Sequence, residues 1–134
     1  MEFKLHKGLN AKIETIVTQK DTAISFGSGG VAVYATPMMI GLMENAALSA
    51  VDLHLPKGYA TVGTHLDVRH LAATPVGMKV YAVAELIEID GKRLVFKVEA
   101  YDKKEKIGEG YHERYIINLE KFIAKARDKG EKSE

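Results

Sequence analysis

The sequence predicts an α+β domain: an antiparallel five-stranded sheet wrapped around one central helix, plus a short C-terminal helix. Three observations predict it. Residues 34–55, YATPMMIGLMENAALSAVDLHL, are apolar almost all the way round a helical repeat, and such a helix belongs in an interior. From residue 61 the apolar period changes from helical to two, the period of strands. Asp90-Gly91 is a strong two-residue hairpin signal, so neighbouring strands run antiparallel. A lone greasy helix needs a sheet curled around it.

Each element follows in order. Residues 9–18, LNAKIETIVT, alternate loosely and suit a first strand. In the next stretch, QKDTAISFGSGGVAVYA, Gly27-Ser28-Gly29-Gly30 reads as a mobile loop. It lacks the lysine and serine/threonine pair of a phosphate-cradling loop. Thr36 is a good N-cap for the central helix, and Pro37 suits its first position. Met38, Met39, Leu42, Met43, Ala46, Ala47, Ala50 and Val51 cover most of the helix circumference. Asp52, His54, Pro56 and Gly58 mark its end.

In TVGTHLDVRHLA, strict alternation puts Val62, Thr64, Leu66, Val68 and His70 on one face, looking into the core. Gly63, His65, Asp67 and Arg69 fall on the other. KVYAVAELIEI, RLVFKVEAY and IGEGYHERYIIN are the remaining strands. LEKFIAKARDKGEKSE begins as a short amphipathic helix with Leu119, Phe122, Ile123 and Ala126. Residues 1–128 are expected to form one domain, and 129–134 a charged flexible tail.

Composition narrows the function. The 134 residues fit one core, and 46% are apolar. With 19 basic and 18 acidic residues there is no cationic excess to neutralise phosphates, which argues against nucleic acid as a partner. Cysteine is absent, which removes disulfides, thiolate zinc sites and cysteine nucleophiles. MEFKLHKGLN lacks a signal-peptide core, and no apolar run approaches the ~20 residues that cross a bilayer. A cytoplasmic protein without membrane attachment is expected.

Three side chains are candidates for chemistry. Glu44 sits mid-helix with Ile40, Gly41, Ala47 and Leu48 one turn away. Burying an unpaired carboxylate costs several kcal/mol or forces protonation. A bland alternative is a carboxylate on the helix's one exposed edge. His70 is aimed at the helix by strand parity, and a satisfied core histidine is its bland alternative. Thr36 already has a structural task as a cap, yet it also places a hydroxyl at a helix N-terminus, where developing negative charge is favoured. Thr36 and Glu44 are about 12 Å apart along the helix axis. An imidazole from His70 could bridge them, giving a base-and-orienter arrangement that activates a weak hydroxyl. A second copy of the chain could instead supply one of the three. His6, His54 and His112 have no companions that make them ligands, and no metal is expected.

These residues also carry a family resemblance. ATPMMIGLMENAA and GTHLDVRHLAATPVGM resemble hotdog-fold thioesterases related to fluoroacetyl-CoA thioesterase. The spacing of Thr36, Glu44 and His70 resembles that family's catalytic threonine, glutamate and histidine. Gly63 matches its substrate-binding glycine beside the acyl pocket. The resemblance covers most of the chain beyond residue 34. It implies the hotdog fold, and hydrolysis of a short acyl-CoA thioester to free acid and CoA at a homodimer interface, with dimers of dimers an option. It implies no metal and no cofactor, CoA being part of the substrate. The family's aromatic lid corresponds to residues 19–33, where this chain has Phe26 and a glycine-rich run. A non-catalytic acyl-CoA binder and an enoyl-CoA hydratase or dehydratase of the same fold are the alternatives.

Overall fold

A computed structural model describes residues 3–132 of the chain. The elements are β1 (Asn10–Ile16), a 3-10 turn (Gln19–Asp21), α1 (Ala23–Phe26), α2 (Thr36–Val51) and a second 3-10 turn (Asp52–His54). They continue with β2 (Tyr59–His70), β3 (Lys79–Asp90), β4 (Arg93–Asp102), β5 (Lys106–Asn118) and α3 (Leu119–Lys132). The strands form one sheet in the order β1-β3-β4-β5-β2, with every neighbouring pair antiparallel. β1 and β2 are therefore its edges.

The alternating residues of the central strands explain where the core lies. Val80, Ala82, Ala84 and Leu86 of β3 join Leu94, Phe96, Val98 and Ala100 of β4, all fully buried. Met39, Met43, Ala46, Ala47 and Val51 of α2 complete the same cluster. Removing the Phe96 ring would cost about 3–5 kcal/mol, from lost transfer energy plus the cavity left behind. Small residues on both layers let the helix lie close to the sheet.

Glycine does the same on β5. A Cβ on Gly108 would overlap the sulfur of Met39, and one on Gly110 would overlap the Asp67 carbonyl of β2. The missing side chains thus admit α2 on one side and β2 on the other. Asp90-Gly91 makes the expected tight turn, with Gly91 at φ 62°. Within residues 19–33, the single turn α1 is started by Thr22, whose hydroxyl accepts from the Ser25 N–H. It is closed by Gly27 in the left-handed region at φ 91°.

Two local expectations fail. Ala35, not Thr36, caps α2; Thr36 is already helical and its hydroxyl makes no cap bond. The alternation of β2 is also broken, because its register against β5 shifts between Gly63 and His65. One extra residue in a bulge reverses which face each later side chain takes. Thr61 and Gly63 before the bulge therefore face the helix side, as Val68 and His70 do after it. The placing of Gly63 on the face opposite His70 is thereby corrected. At the other end of the chain, α3 stays helical through Lys132, into the segment expected as a tail. Residues 133 and 134 of that segment lie outside the described residues. Among the described residues no helix is long and apolar enough to cross a membrane.

Candidate active site

β2 ends at His70 beside the first turn of α2, and this juxtaposition builds one half of the site. Thr36 Oγ1 lies 2.7 Å from His70 Nδ1. Because the hydroxyl caps nothing, it is free for the imidazole. Nε2 of His70 is buried and has no hydrogen-bond partner among the described residues. Burial also holds the His70 pKa below the usual histidine range. A neutral ring in hydrogen-bond contact with a hydroxyl is the state a general base requires.

The pair opens onto a cavity of about 400 Å³ whose lining includes Ala23, Ser28, Gly29, Thr36, His70 and Leu71. The helix N-terminus offers this cavity less than the sequence suggests. Pro37 has no N–H, and those of Met38 and Met39 both reach the Ala35 carbonyl. The Thr36 N–H has no acceptor among the described residues and stands at the positive end of the helix dipole.

Glu44 builds the other half. It is half-buried two turns along α2 and makes no hydrogen bond or ion pair among the described residues. Its Oε2 lies 3.0 Å from the point where a Cβ on Gly63 would stand. His112 Cε1 is 3.1 Å from that point, and Arg114 Nη1 is 3.5 Å away. Gly63 does not have a positive φ, so it is needed here for space, not for backbone freedom. The expected bridge from Glu44 through His70 to Thr36 is thus half formed. Thr36 and His70 meet, whereas Glu44 faces Gly63 and bonds to neither.

His112 and Arg114 are functional candidates that sequence reasoning misses. Both are on β5 and buried, while Tyr111 and Tyr115 point outward. The signal is present as a period-two pattern in GYHERY, with two basic residues falling on the inward face. A search of the histidines for metal-ligand companions passes over an arginine two residues on. Among the described residues no cluster of three histidine, aspartate or glutamate side chains could hold a metal ion.

Comparison with known proteins decides the family. A profile described as fluoroacetyl-CoA-specific thioesterase matches residues 17–120. The chain belongs to the fluoroacetyl-CoA-specific thioesterase family. It is accordingly an acyl-CoA thioester hydrolase, and the matched segment holds Thr36, Glu44, Gly63, His70, His112 and Arg114. The fluoroacetyl-CoA thioesterase of Streptantibioticus cattleyicolor is 47% identical over 97 residues, which are 72% of this chain and 70% of that protein.

Solved structures agree in fold. A fluoroacetyl-CoA thioesterase superposes with a TM-score of 0.88 at 37% identity, over 93% of this chain and 97% of that one. A Thermus thermophilus protein described as a thioesterase superfamily member gives 0.86 at 33% identity, over 94% and 93%. The five-stranded sheet around α2 is therefore a hotdog fold.

Proposed function

We propose that this thioesterase hydrolyses a short acyl-CoA to the free acid and CoA, using Thr36, His70 and Glu44, with Gly63 beside the acyl group. One observation carries the reading: the 2.7 Å contact between Thr36 Oγ1 and His70 Nδ1, made by a hydroxyl with no other task.

In the first half-reaction the Thr36 hydroxyl gives its proton to His70 Nδ1, and its oxygen attacks the thioester carbon. Charge developing on the carbonyl oxygen faces the Thr36 N–H and the helix dipole. The carbon–sulfur bond then breaks, and the imidazolium returns the proton to the departing thiolate. In the second half-reaction a water attacks the acyl-threonine ester. Glu44 takes the water's proton and passes it to the threonine oxygen as the carbon–oxygen bond to Thr36 breaks and the acid leaves. The scheme uses no metal and no cofactor.

Pairing of two copies along β2 completes this reading. β2 is an edge strand, and its middle residues, Thr64 to Asp67, are exposed. An open edge is a template for another strand. Antiparallel pairing centred on Leu66 sets that residue against its own counterpart and reverses one strand, so Gly63 of one copy lies close to Val68 and His70 of the other, on the same face. The acid half of each chain is thereby brought toward the hydroxyl–imidazole half of its partner.

Release of free thiol from a panel of acyl-CoAs, fluoroacetyl-CoA included, tests the reading. Turnover of a short member supports it. Tight binding without thiol release would leave a binder in its place, and loss of enoyl absorbance would point to a hydratase.

A further inference from the structure

The acid half of the site holds a titratable group that this scheme leaves idle. His112 is fully buried. Its Nδ1 is 2.9 Å from the His65 carbonyl oxygen, and its Nε2 is 3.1 Å from Arg114 Nη1. Donor and acceptor roles fix its state. A carbonyl oxygen only accepts, so Nδ1 carries the hydrogen; a guanidinium only donates, so Nε2 presents its lone pair. The ring is a neutral Nδ1–H tautomer.

Arg114 is clamped from the other side as well. Its Nε donates to Thr61 Oγ1 at 2.8 Å and its Nη2 to the Thr61 carbonyl at 2.9 Å. The Thr61 hydroxyl in turn donates to Asp52 Oδ1 at 2.7 Å, just beyond the end of α2. The guanidinium is therefore immobilised, with Nη1 beside the gap at Gly63 that Glu44 also borders.

We propose that His112 is a positioning residue for the reaction: as a neutral acceptor it holds Arg114 so that the guanidinium faces Glu44 across Gly63 and keeps that carboxylate in place. This rests on the thioesterase reading above. Protonating His112 removes the acceptor and sets N–H against N–H. The groups facing the ring are the His65 carbonyl on β2, Glu44 on α2, Arg114 on β5 and the Phe96 ring on β4 at 6.4 Å, while Glu113, on the opposite face of β5, acts on it as a nearby charge. Burial and Arg114 oppose its protonation, while the His65 carbonyl, Glu44 and Glu113 favour it.

Two measurements test this. Nitrogen-15 NMR of the folded wild-type chain should find His112 protonated on Nδ1 and bare on Nε2 at neutral pH. A protonated Nε2 there overturns the clamp whatever the activity. In kinetics, His112→Gln keeps an acceptor near the Nε2 position, and His112→Phe removes it. The phenylalanine variant should lose up to ~10²-fold in kcat with KM little changed, as expected for a misplaced reacting group. The glutamine variant should recover most of that loss and no longer show a titration assignable to residue 112. Should His112→Phe match a wild type that turns over acyl-CoA, the positioning role fails alone. If the wild type turns over no acyl-CoA, the thioesterase reading fails and takes the positioning role with it.

Discussion

Gly63 and Glu44 are fitted to one another: the carboxylate oxygen stands 3.0 Å from where the glycine's missing Cβ would begin. The gap is bordered on its other sides by a buried imidazole and a clamped guanidinium. A side chain on β2 here must move something. Of the three neighbours, Glu44 is the one with no hydrogen bond among the described residues to lose.

Gly63→Ala should therefore displace Glu44 while leaving the fold intact. The expected result is a fall of about 10-fold or more in kcat/KM, since small misplacements at a reacting centre are costly. A thermal melt run beside the kinetics should show little change. Equal activity in Gly63→Ala would mean that the position of Glu44 is not critical.

The pH dependence follows from two rings, the half-buried His70 and the buried His112. Burial depresses the pKa of both His70 and His112 below the histidine value of about 6.5. The unfolded chain therefore binds more protons than the folded one between those depressed values and about 6.5. Stability from these rings is fully present above about pH 6.5 and is lost as pH falls through the folded values. Activity should fall in the same acid range, because His70 must be neutral to take a proton. Melting temperatures and kcat/KM measured from about pH 4 upward check both. An activity that rises on acidification would contradict the role of His70 as base.

The β2 edge gives a third expectation. Leu66 is 40% exposed in the middle of an unpaired strand edge. Leu66→Lys should weaken association by placing like charges opposite one another near the pairing centre. Sedimentation should show a dimer for the wild type and a shift toward monomer for the variant, with activity falling in step. A wild-type monomer with full activity would dismiss the paired arrangement.

Glu44→Gln separates the two half-reactions. With Thr36 and His70 intact, acyl transfer to the threonine should proceed and its hydrolysis should slow by about 10²–10⁴-fold. Mass spectrometry of the variant after mixing with acyl-CoA should find one acyl group on Thr36. An unmodified chain would argue for direct attack by water.

Much of this architecture is legible in the sequence, for physical reasons. The all-round apolar character of α2 and the Asp90-Gly91 turn each have few structural solutions. Thr36 and His70 are also legible as candidates, although the threonine's capping role is not fulfilled. What stays hidden depends on register. The bulge after Gly63 leaves no mark on a period-two pattern, yet it turns Gly63 and His70 to the same face. His112 and Arg114 are hidden differently: their meaning comes from Thr61 and Asp52, which lie far away in sequence.

The most direct test is thiol release from a short acyl-CoA by Thr36→Val, which removes the hydroxyl and keeps the shape. Because that hydroxyl caps nothing and its one bond is to His70, the melting temperature should fall only slightly, while the rate should drop by about 10²–10⁴-fold. A folded Thr36→Val chain that releases thiol as fast as the wild type would contradict the hydroxyl–imidazole mechanism.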